Sequence, residues 1–169
     1  MWKKVAAAVT VLMCLVVLTA CGRKSYAGVQ LSDKKYERVQ TSNKNIEALV
    51  TALQKFRYDD DKSAQRVYNA ADKLNKSLQP GLSTNQRHHL DVALGSGTTG
   101  VKGIVQNAAS KEYDFDDEVA SQFHANFRIV FDLAAFPIGH SEQQRNKVET
   151  QMRKDTNADT ELYKIGGQD

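Results

Sequence analysis

The side chains of this 169-residue chain that could do chemistry fall into a few short groups. His88 and His89 with Asp91 offer two imidazoles and a carboxylate, the donors a metal or polar ligand takes. Adjacent helical side chains point roughly 100° apart, however, so only His88 and Asp91, three residues apart, share a face. His124 and His140 would have to arrive by folding to complete a ligand set, and no metal is expected. Gly95, Gly97 and Gly100 match G-x-G-x-x-G, which cradles a pyrophosphate only when a strand precedes it and a helix follows. Val101 stands where a P-loop has lysine, so the segment reads as a connection between helices and no cofactor is expected.

Asp59, Asp61 and Ser63 imitate the first ligands of a calcium loop, but Ala64 and Ala70 occupy the positions that need glycine and glutamate. Asp114, Asp116, Asp117 and Glu118 supply carboxylates of the kind that cleave glycosides. Acid runs also open helices, where they face the positive end of the dipole. No G-x-S-x-G elbow is present, and Gly139-His140-Ser141 lacks a strand context. No catalytic residue is assigned, and the chain reads as a non-enzyme. His88, His89 and Asp91 remain the ligand-site candidates.

The elements that must position these groups are helical. Tyr36, Val39, Ile46, Leu49, Val50, Leu53 and Phe56 recur at three and four, interrupted at Thr41-Ser42-Asn43, so residues 32 to 57 form one helix or two. Ser32 is their N-cap. Asp59-Asp60-Asp61 opens the next helix, with the stripe Val67, Ala70, Ala71, Leu74 and Leu78, and Pro80-Gly81 closes it. Ser83 to Gln86 has capping-box spacing before Leu90, Ala93 and Leu94. Val101, Ile104, Val105 and Ala108 resume the helical period, weakened by Gly103.

The clearest stripe is Val119, Phe123, Phe127, Val130, Phe131 and Ala134, ended by Pro137 and Gly139; with Phe136, these phenylalanines form either core or the wall of a small-ligand pocket. Ser141 to Gln144 repeats the capping spacing ahead of a charged helix through Val148 and Met152. No stretch shows sustained two-residue alternation. The expectation is an all-α, irregular bundle of five or six amphipathic helices over residues 32 to 153, with 154 to 169 as a flexible tail.

The N-terminus fixes the address. Met1-Trp2-Lys3-Lys4 is basic, and Val5–Leu18 is apolar but for Thr10. At about fourteen residues this stretch is shorter than the ~20 that cross a bilayer, and it fits a secretory h-region. Leu18-Thr19-Ala20-Cys21 resembles the lipobox of bacterial lipoproteins: an aliphatic residue, two small ones and a cysteine. The resemblance is confined to residues 1 to 22 and carries no fold. It implies a signal peptide over 1 to 20, cleavage before Cys21, and acyl chains on Cys21 that hold the protein on the extracytoplasmic face of a cell membrane. Two acyl chains suffice for stable anchoring, at ~0.8 kcal/mol per buried methylene. Residues 21 to 31 contain Gly22, Ser25 and Gly28 and read as a lipidated cysteine plus flexible tether of roughly 33 Å at full extension.

Charge and cysteine usage narrow the class further. The chain has 23 basic and 20 acidic residues, a net +3, and Lys3 and Lys4 belong to the signal segment, so a polybasic nucleic-acid binder is excluded. Both cysteines, Cys14 and Cys21, precede the body, which excludes disulfides, thiolate catalysis and Cys-based zinc sites there. The resulting expectation is a membrane-anchored, non-enzymatic envelope lipoprotein whose partner is another envelope protein or the cell wall, bound through a helical surface. The alternative is a small-ligand-binding or hydrolytic domain with residues 95 to 103 as a glycine-rich lid.

Overall fold

The computed structural model describes residues 23 to 165. Residues 1 to 22, where the signal peptide and the acylated Cys21 are expected, and residues 166 to 169 lie outside the described residues. The protein is all-α: among the described residues a short hairpin, β1 (Arg23–Tyr26) and β2 (Val29–Ser32), leads into seven helices. These are α1 (Asp33–Gln54), α2 (Asp61–Leu78), α3 (Thr84–Leu94), α4 (Val101–Lys111), α5 (Asp117–Ala135), α6 (Glu142–Thr156) and α7 (Ala158–Tyr163). No helix among the described residues is long and apolar enough to cross a membrane.

Most helix starts follow the chemistry of their caps. The side chains of Ser32, Asp60, Ser83, Asp116 and Ser141 accept a backbone N–H at the N-termini of α1, α2, α3, α5 and α6. Ser83 and Gln86 form the reciprocal capping box. At α6 the box is displaced: Gln144 Oε1 accepts from the backbone of His140, at 2.9 Å, instead of from Ser141. Helix α1 is continuous. Its polar lapse turns inward: Ser42, Asn43 and Asn45 are buried, and Asn43 Nδ2 donates to Tyr26 of β1. Phe123, Phe127 and Phe131 of α5 are fully buried, where they meet the apolar faces of the other helices in one core.

Two expectations are corrected. The segment expected to be a tether is, from residue 23, a strand pair in the register Arg23↔Ser32 to Tyr26↔Val29. Val29 and Leu31 of β2 are buried and Gln30 and Ser32 exposed, a two-residue alternation only four residues long. Ala27 and Gly28 have φ of 53° and 73°, the paired positive values of a two-residue type I′ loop. Six helices begin within residues 32 to 153, as expected, and a seventh follows because the chain after Arg153 is not a frayed tail up to residue 165. Asn157 adopts the left-handed conformation and redirects the backbone, so that Ala158, Leu162 and Ile165 enter the core.

Candidate functional site

The glycine segment joins α3 to α4 and is fastened at several points. Gly100 N–H donates to the Gly97 carbonyl at 2.9 Å and Gly103 N–H to the Gly95 carbonyl at 3.1 Å. The second bond satisfies one of the orphan donors at the start of α4, a helix whose N-cap, Gly100, has no side chain to do so. Asn126 of α5, almost fully buried, donates to the Thr99 carbonyl at 2.7 Å and ties the segment to the core. A Cβ on Gly103 would lie 1.9 Å from the Gly97 carbonyl oxygen, so the helix and the loop touch backbone to backbone.

Beside this loop the acidic run and the loop do meet. Thr98, Asn107, Lys111, Asp116, Glu118 and Gln122 line a cavity of about 240 Å³. A second hollow of about 470 Å³ shares Thr98, Asn107 and Lys111. The lining of the smaller cavity is chiefly polar and of both charges, which suits a small hydrophilic molecule. Asp116 spends one carboxylate oxygen on the Val119 N–H at 2.9 Å, and Asp114 pairs with Arg57 at 3.2 Å.

The remaining candidates lie apart from that cavity. His88 and His89 are exposed on α3 with ring centres 6.1 Å apart, and Asp91 accepts from Asn75 Nδ2 at 2.7 Å. None of the three lines either hollow. His140 approaches Lys35 Nζ at 3.4 Å, and His124 packs on Tyr163 with ring centres 3.9 Å apart, so the four histidines do not converge. Among the described residues no group of three His, Cys, Asp or Glu is placed to hold a metal ion. Of the phenylalanines weighed as a pocket wall, three are core, and Phe136 stands 38 % exposed under the Arg145 guanidinium, 5.0 Å from its ring centre.

Two polar clusters escaped the sequence reading. Tyr26 of β1 donates to Asp155 Oδ2 of α6 at 2.7 Å, and Asn43 Nδ2 of α1 donates to the same phenol at 3.3 Å. Gln151 holds the other Asp155 oxygen at 2.6 Å. Burial, reinforced by the Asp155 carboxylate and opposed by the Asn43 hydrogen bond, pushes the Tyr26 phenol well above its ordinary range, so it stays a donor. This cluster clamps the hairpin to α1 and α6, each bond contributing about 0.5–1.5 kcal/mol. Its only sequence trace is the polar lapse in the α1 stripe.

The second cluster fastens α7. Arg153 donates to Glu149 and, at 2.9 Å, to Asp159, while its guanidinium lies 4.6 Å from the Phe131 ring centre. His124, against Asp159 at 4.0 Å, has its pKa lowered by burial, with the Arg153 charge adding to the shift and Asp159 opposing it. Arg153 and Glu149 are an i,i+4 pair and Asp159 lies six residues on, whereas the contacts with Phe131 and His124 join distant parts of the chain and leave no trace in local spacing. Both clusters bind the chain to itself. No family model, curated protein or solved structure matches the chain.

Proposed function

We propose that the protein is a lipid-anchored extracytoplasmic lipoprotein without catalytic activity, held by acyl chains on Cys21 and binding an envelope protein or wall component through its helical surface. One observation carries this reading. Strand β1 already includes Arg23, two residues after a cysteine that ends an apolar, lipobox-like segment. An anchor on Cys21 therefore has almost no slack.

The helical surface offers apolar contact points on α3 and α5, two helices that pack together: Val92 is 48 % exposed and Ile129 37 % exposed. The polar cavity around Thr98, Asp116 and Glu118 favours a second reading, in which the anchored domain takes a small hydrophilic ligand.

The test is metabolic labelling with palmitate together with cross-linking on intact cells. The wild-type chain should incorporate label, partition into detergent and capture a discrete partner; Cys21→Ser should lose all three. Detergent partition unchanged by Cys21→Ser would overturn the anchor. An anchored protein that captures no macromolecule would favour the cavity reading.

A further inference from the structure

The hairpin brings the anchor to one particular end of the bundle. Antiparallel pairing sets Arg23 opposite Ser32, the N-cap of α1, so the chain arrives from Cys21 level with the first turn of that helix. Lys24 Nζ stands 3.8 Å from Asp33 and 4.9 Å from the Tyr36 ring centre. Lys35 Nζ donates to the Ile138 carbonyl at 2.9 Å, which places the loop from Phe136 to His140 beside the same turn. Arg38 donates to the Leu78 carbonyl at 2.7 Å, adding the end of α2 to this surface.

Distance leaves this end little choice of neighbour. Two residue steps from Cys21 to Arg23 span at most about 7 Å. The polar layer on each side of a hydrocarbon core is roughly 5–8 Å deep. With acyl chains on Cys21, Arg23 stands in or against the headgroups, and whatever side chains share its end must meet them.

Charge at this end suits that neighbour. Residues 23 to 40 carry five basic side chains (Arg23, Lys24, Lys34, Lys35, Arg38) and two acidic ones (Asp33, Glu37). Residues 41 to 169 carry 16 basic and 18 acidic ones, so the sign reverses over the rest of the body. Lys24 and Lys34 are exposed, and Phe136 adds an exposed apolar ring with the Arg145 cation above it. An aromatic ring among cations matches an interface whose headgroups are anionic and whose deeper layer is apolar.

We infer that the end formed by the open edge of the hairpin, the first turn of α1 and the Phe136 to His140 loop is a docking surface for an anionic phospholipid bilayer. This inference rests on the lipoprotein reading. Lys24 and Lys34 contact headgroup phosphates and Phe136 enters the interface, so the anchor and this surface together fix the domain's orientation. The α1–α2 turn near Asp59 then faces away from the bilayer.

The test uses the full-length precursor, processed in cells, purified and reconstituted into vesicles. Cys14 belongs to the segment removed by processing and Cys21 is acylated, so a single introduced cysteine is the sole free thiol. Lys34→Cys, Phe136→Cys and Asp59→Cys are each given a nitroxide, and its depth is read by collisional relaxation. On vesicles of phosphatidylethanolamine and phosphatidylglycerol the labels at 34 and 136 should report headgroup depth and the label at 59 open water. Adding Lys24→Glu to Phe136→Cys, or raising the salt, should shift position 136 toward the value at 59.

Vesicle-bound protein with positions 34 and 136 as aqueous as 59 would overturn the docking surface and leave the anchor standing. Equal immersion on phosphatidylcholine vesicles would overturn the preference for anionic lipid. A mature chain without acyl groups on Cys21 would remove the lipoprotein reading and the docking surface with it.

Discussion

Residues 25 to 28 and residues 95 to 103 both read in the sequence as glycine-containing connections, and the structure uses glycine differently in each. At Gly28 nothing lies within 4 Å of where a Cβ would be, and what the position demands is a φ of +73°. At Gly103, inside α4, the backbone is ordinary helix, and what the position demands is room against the Gly97 carbonyl. One glycine supplies a turn and the other a close approach. Neither segment is a loose joint. The first pairs residues 23 to 32 into a hairpin, and the second makes the α3–α4 connection part of the core.

The comparison is broken most severely at Gly103. Replacing an interior helical glycine by alanine ordinarily favours the helix by about 1 kcal/mol. Here the added methyl meets carbonyl oxygen at 1.9 Å and carbonyl carbon at 2.6 Å, both backbone, so the loop must move and give up the Gly95 cap. Gly103→Ala should therefore destabilise by about 3 kcal/mol despite the propensity gain. In a domain of this size that is a fall in Tm of roughly 6–12 °C, read by thermal circular dichroism. A variant as stable as the wild type would show that the α3–α4 connection yields easily, as a lid must.

The same contrast explains what the sequence reveals and what it conceals. The stripe through Val67, Ala71, Leu74 and Leu78, the phenylalanines of α5 and the Ser83–Gln86 box are local, and all are present in the structure. The hairpin was concealed because its alternation lasts one four-residue strand, and its turn is Ala-Gly instead of the more telling Asn-Gly. Leu162 and Ile165 looked too sparse to pack, since only the left-handed turn at Asn157 aims them at the core. The cavity joins Thr98 to Glu118, groups the sequence had singled out separately. Its other polar walls, Asn107 and Gln122, have no distinguishing pattern. Tyr26, Asn43 and Asp155 meet from three distant elements, a relation no periodicity encodes.

A smaller effect is expected at the hairpin turn, where the cost is conformational and the surroundings are empty. Gly28→Ala must hold an alanine at positive φ, which costs about 1–2 kcal/mol. A fall in Tm of roughly 2–8 °C should follow. Gly28→Asn should recover much of it, since asparagine tolerates this region. Ala27→Asn, which installs Asn-Gly at a φ already positive, should raise Tm instead. If all three variants melted with the wild type, the hairpin would be contributing nothing to the folded state, and residues 23 to 32 would behave as the tether their composition suggests.

The smallest effect sharpens the comparison within the second segment. Gly97 has neither demand: nothing lies within 4 Å of where its Cβ would be, and its φ is outside the left-handed range. Gly97→Ala should leave Tm unchanged or raise it slightly, because alanine restricts the unfolded chain by about 0.4–1 kcal/mol without opposing the folded one. Packing and motion make different demands on that site. If the connection serves only as a packed joint, stiffening it at Gly97 is harmless to partner capture as well as to stability. A Gly97→Ala protein that melts normally but loses capture of its partner would mean that the segment has to move, and the cavity beside Thr98 would then be the place to look for what it moves around.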